Sequence, residues 1–226
     1  MSTEFPTTAV VRPGAILGTI VNSIMVAQLP ELEYLRSWDG VNYNVNDGEG
    51  TFGTITFGKT CLVAAFFDVH SKKSPYRSAT AYEISSFFEG MLDDHHKLLE
   101  GETLQFLLQN YQGKLVPLVT ASFWDDGERL TGALPWDELL ANGAEIVAVE
   151  LMENKDAALS VWEEQYDMSL EQVQLAQALF QRTMTMKQAQ TELEDAEFRL
   201  LRSMAHSEEA IAACRRSFST IGIVVP

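Results

Sequence analysis

Hydrophobic positions along this chain change period several times, and each change predicts an element. From Gly14 to Leu29 apolar residues recur at Ile16, Ile20, Ile24 and Leu29, a helical spacing. Pro13 suits the first turn of that helix, and Pro30 stops it. Thr51 to Phe57 mixes β-branched and aromatic residues and reads as a strand. Gly58-Lys59 then offers the glycine that a two-residue type II′ hairpin needs. Thr60 to Phe67 is almost uniformly apolar, which predicts a central strand buried on both faces. Thr80 to Leu99 carries Ile84, Phe87, Phe88, Met91 and Leu92 at the spacing of a core-facing helix stripe. A further helical pattern runs from Thr103 to Tyr111, with Gly113 as its cap. Leu115–Trp124 and Glu145–Met152 read as two more strands, separated by a short helix that opens at Pro135-Trp136.

After Met152 the texture changes. Residues 153–168 are polar and helix-prone, and from Ser169 onward Ala, Gln, Leu and Met replace the strand formers. Ser169 is placed to cap a helix, and Ile221 to Val225 returns to strand-like composition. The expected fold is therefore α+β: a mixed or antiparallel sheet packed with helices, followed by a C-terminal helical region. The expected division is an acidic domain over 1–152, a connection over 153–168 and a helical region over 169–226.

Composition supports an ordinary folded chain: 226 residues, 46% hydrophobic and 21% charged. Charge changes the picture more. Residues 1–168 hold 25 acids against 10 bases, a net −15, whereas residues 169–226 hold 7 against 6, a net −1. The front should repel nucleic acid and anionic membranes and attract basic proteins or cations. Two cysteines, Cys61 and Cys214, are expected as free thiols of a reducing cytoplasm. No basic-then-apolar leader pattern opens the chain, and Gly14–Leu29 reads as too short and too polar for a bilayer span.

Candidate chemistry concentrates after the central strand. Asp68 and His70, two apart on a strand, would share a face and could hold a divalent metal or form an acid–base pair. A third ligand must then come from elsewhere, with Asp47, Glu49, Asp93, His95 and His96 as the supply. Ser71 to Tyr76 has two lysines and two serine hydroxyls but no glycine framework of a phosphate loop. Cys61, among apolar neighbours, reads as inert, and no Gly-x-Ser-x-Gly is present. The sequence calls for no cofactor. Trp124, Asp125, Asp126, Trp136 and Asp137 combine aromatic anchors with an acidic rim, a composition suited to a basic protein partner.

Thr185 to Ala205 loosely resembles the two-helix DNA-reading unit called helix-turn-helix. Ala189 stands where the helices would cross, Leu193 under the turn, and Phe198 and Leu201 inside the second helix. That resemblance implies Arg199 and Arg202 facing DNA. Glu194 departs from it where a glycine is usual, and the helix lacks the Asn, Gln, Lys and Arg cluster that reads base edges. The competing reading is a helical hairpin that packs on the main domain or pairs with another copy of the chain.

Three functions follow, in order. The first is a non-enzymatic acidic protein that binds a basic partner, as an inhibitor, immunity-type or assembly factor. The second is a DNA-binding regulator using 185–205. The third is a metal-dependent enzyme centred on Asp68 and His70.

Overall fold

The computed structural model describes residues 4–78, 81–185 and 190–226. A 3₁₀ turn at Thr8–Val10 leads into helix α1, Val11–Val26. Thirteen of the sixteen α1 residues are buried, polar ones included. Together the turn and helix form a Thr8–Val26 segment that by length and composition alone is long and apolar enough to cross a membrane; it begins six residues before the Gly14–Leu29 stretch expected from sequence. Here most of it is buried inside the molecule.

Another 3₁₀ turn, Pro30–Leu35, delivers the chain to the main sheet. Its first four strands are β1 (Arg36–Asp39), β2 (Asn42–Asn46), β3 (Thr51–Phe57) and β4 (Leu62–Asp68). Helix α2 is Asp93–Gly101, and a hairpin of β5 (Leu108–Tyr111) and β6 (Lys114–Pro117) follows it. The main sheet is completed by β7 (Ala121–Asp125) and β8 (Leu130–Thr131), in the order β1-β2-β3-β4-β7-β8, antiparallel throughout. Helices α3 (Trp136–Ala141), α4 (Lys155–Tyr166) and α5 (Leu170–Thr185) come next. The last elements are β9 (Thr191–Glu192), α6 (Asp195–Met204), α7 (Glu208–Ser219) and β10 (Ile223–Val224), with β9 and β10 pairing in parallel. The protein is α+β, with a helical C-terminal region.

β4 is the central strand its composition predicts. Leu62, Ala64 and Phe66 point to one core with Tyr43, Ile55, Phe123 and Trp136. Val63, Ala65 and Phe67 point to the opposite core with Phe87, Phe88, Leu99 and Leu107. Successive side chains alternate between faces, so a strand covered on both sides must be apolar throughout.

Several element boundaries differ from expectation, each for a local reason. Thr80–Leu99 is not one helix. Residues 81–83 are irregular, Ile84–Phe88 is a 3₁₀ turn, and Gly90 at φ +87° interrupts the backbone before α2. Leu92, expected on the core stripe, is 65% exposed. Thr103–Leu107 is a 3₁₀ turn, and Leu108 enters a strand. Gly113 caps no helix: with Gln112 it supplies the two positive-φ residues of the tight β5–β6 turn. Leu115–Trp124 divides into β6 and β7, β6 ending at Pro117. Gly58 does not take the positive φ of a type II′ turn; Phe57 pairs with Leu62 across a loop of residues 58–61. Glu145–Met152 is no strand but a 3₁₀ turn, Ala144–Val147, continued by helical-type bonds from Leu151 N to Val147 O and Met152 N to Val149 O.

The C-terminal helices are no appendage. α1 lies between the sheet and the helices, giving Leu17, Ile20, Ile24 and Met25 to a core with Trp162, Leu175, Leu179, Cys214 and Phe218. Ser23 and Ser217 hydrogen-bond at 2.6 Å inside it. The expected connection at 153–168 is largely α4, which buries Ala158, Leu159 and Trp162. Ser169 caps α5 as expected: its Oγ accepts from Gln172 N and its own N donates to Gln172 Oε1.

Candidate functional site

One end of the sheet opens into a cleft of about 410 Å³. Its walls are the start of β1 (Arg36), the β2–β3 turn (Asn46, Asp47, Thr51) and the end of β4 (Asp68). The segment after α3 adds Gly143, Glu145 and Ile146, and the end of α4 adds Gln165 and Tyr166. Antiparallel register brings the first carboxylates together: Thr51 lies opposite Asp68, and Asp47 N donates to Thr51 O. Asp47 Oδ1 accepts from Glu49 N at 2.7 Å and Thr51 N at 2.9 Å. Burial pushes the Asp47 carboxyl up, but these backbone donors outweigh it and hold the group below its ordinary range. Asp68 Oδ1 accepts from His70 N at 2.7 Å. Among the described residues, none of Asp47, Asp68 and Glu145 is in an ion pair.

Among the described residues lining the cleft, the one cation is committed elsewhere. Arg36 Nε donates to Glu150 Oε1 at 2.7 Å, and its two terminal nitrogens donate to Leu35 O and Ile146 O. Tyr43 OH donates to the same Glu150 oxygen at 3.1 Å. Burial works against the Arg36 charge, yet Glu150, Tyr43 and Tyr166 together outweigh it and hold the guanidinium above its ordinary range. Burial, and then Glu150, push the Tyr43 hydroxyl well above its ordinary value. Lys155 secures the same region by donating to Val10 O, Glu150 O and Met152 O. The floor is thus fixed, and the free charge of the cleft is negative. Such a site suits an ammonium or guanidinium group.

The structure separates several of the expected site residues. Asp68 ends β4, and His70 lies in the following turn, so the two do not share a strand face. His70 Nε2 approaches Glu49 O at 3.3 Å and Nδ1 approaches the Arg77 guanidinium at 3.2 Å. A neighbouring cation opposes metal binding there, and no group of three His, Cys, Asp or Glu fit for a metal occurs among the described residues. Asp68 instead belongs to the acidic cleft. His95 is buried and meets Asp125 at 3.1 Å, and Asp125 also accepts from Leu62 N. Trp124, Asp125 and Trp136 are 4%, 7% and 6% exposed, so they are packed in the core and do not form an exposed aromatic rim. Asp126 and Asp137 are exposed.

The helix-turn-helix arrangement is not formed. Its first helix would include Thr191 and Glu192, which are a strand, and Leu193 is buried beside it. Ala189 lies outside the described residues. Arg202 is bidentate with Glu208, and Arg199 is exposed on α6.

Arg36 and Glu150 escaped sequence reasoning. A lone acid inside the apolar run Ile146–Met152 was the available signal, because a buried carboxylate requires a partner. Compared with protein-family models, with curated proteins and with solved structures, the chain matches none.

Proposed function

We propose that this protein is a non-enzymatic binding protein for a basic protein partner, in an inhibitor, immunity-type or assembly role. The cleft receives a lysine or arginine side chain of that partner. The observation that carries this reading is three carboxylates, Asp47, Asp68 and Glu145, without an ion-pair partner among the described residues, around a cavity whose lining arginine is already consumed by Glu150 and backbone carbonyls. The net −15 of residues 1–168 extends the same field outward, which speeds encounter with a basic surface and repels acidic ones. Both cysteines are free, which supports a reducing compartment such as the cytoplasm.

Carbodiimide cross-linking in a native lysate tests the proposal, because it joins a carboxylate directly to a contacting amine. The expected product links a basic protein through its lysine to Asp47, Asp68 or Glu145, and the yield falls as salt shortens the Debye length from about 10 Å toward 3 Å. A partner that is acidic, or one captured equally well at all salt concentrations, would sink the electrostatic reading.

A further inference from the structure

We infer that the acidic cleft and an apolar groove beside it bind one continuous segment of the partner. A cationic side chain enters the cleft and an apolar side chain enters the groove. This rests on the reading that a basic protein is bound, and adds which part of that protein is recognised. The groove has a volume of about 620 Å³ and is lined by Phe5, Trp136, Leu151, Met152 and Val161, among others. Leu140 and Val149 line both cavities, so the two openings share a wall.

Charge decides the occupant. At the rim of the groove stand Glu4, Glu153 and Arg129, and Arg129 is already paired with Glu4 at 3.2 Å. Among the described residues, no cation lining either opening is left for an acidic ligand, because Arg36 and Arg129 both have carboxylate partners. An anionic amphiphile would therefore meet carboxylates at both ends. A short peptide segment with one basic and one apolar residue meets complementary surfaces at each. Apolar anchors in a pocket supply affinity, and charge at its edge supplies register.

Fluorescent peptides of about eight residues, which reach about 26 Å when extended, provide the probe. Each carries one arginine and one leucine at a varied separation in a Gly-Ser background. Anisotropy is read against the intact protein and against D68N, E145Q and V161D, with circular dichroism confirming that each variant is folded. One range of separations should bind. D68N with E145Q, V161D, and replacement of either peptide anchor by serine should each weaken it about tenfold or more. If the acid variants weaken binding while V161D and loss of leucine change nothing, the single-segment inference is overturned and the cleft reading survives. If no peptide binds at about 1 mM, or binding ignores the acid variants, both fall.

Discussion

At the scale of single residues, burial sets the behaviour of the ionisable groups. Arg36 and Glu150 are 8% and 1% exposed and share a hydrogen bond. Removing one member strands a buried charge, so R36M or E150L alone should cost about 3–5 kcal/mol, while R36M/E150L together should cost less than either. Urea denaturation of the four proteins measures this coupling; additive losses would contradict it. Tyr82 gives a pH dependence. Its hydroxyl accepts from Val119 N and donates to Val119 O, and burial pushes it up to about 12 against the lowering effect of the Val119 bond. Between pH 10 and 12 the folded chain retains a proton that the unfolded chain has released. The stabilisation is complete below pH 10 and is lost as pH rises through that window, a slope that Y82F should lack in denaturation curves. The thiols follow the same logic. Cys214 is pushed up to about 12 by burial, and Cys61 is raised by burial and then by Asp125 and Asp94. Ellman's reagent at pH 8 should therefore label the folded protein slowly, Cys61 first, and both thiols at once after denaturation; rapid native labelling of Cys214 would contradict its burial.

At the scale of elements, α1 is seated by glycines. A Cβ on Gly14 would lie 1.7 Å from the Glu150 carbonyl oxygen, a backbone atom that cannot step aside. A Cβ on Gly18 would meet the Tyr43 hydroxyl at 2.9 Å, the end of a side chain. G14A should therefore cost more than the about 1–3 kcal/mol of ordinary overpacking, and G18A should stay near that range, as thermal denaturation would show. The sequence discloses elements best where one packing environment dominates. β4 and α1 were legible because each is apolar nearly all round. The helical stripe at Ile84–Leu92 misled because aromatic residues also cluster in irregular cover, and Gly90 decides the backbone there. Val147, Val149 and Leu151 alternate like a strand but belong to a turn over the Arg36–Glu150 pair. In the site, Asp68 was visible as a polar residue leaving an apolar strand. Its neighbours Asp47 and Glu145 come from distant turns, and only the register of β2, β3 and β4 and the fold of residues 143–146 bring them to it.

At the scale of the whole molecule, one helix joins the two halves that composition separates. Removing residues 169–226 would bare the α1 face formed by Leu17, Ile20, Ile24 and Met25. A 1–168 fragment should therefore aggregate or lose cooperative melting, and the intact chain should melt in a single calorimetric transition. A fragment that melts independently would support the division expected from sequence. This arrangement also has a consequence in time. Ser23 and its partner Ser217 stand 194 residues apart. At about 5–20 residues per second, a ribosome takes about 10–40 s to deliver the second after the first. Helices α4 and α5 are made within that interval, but until its end the most apolar helix of the nascent chain lacks α7. Until α7 emerges, that part of the α1 face stays open to non-productive contact, and slow synthesis lengthens the period of risk.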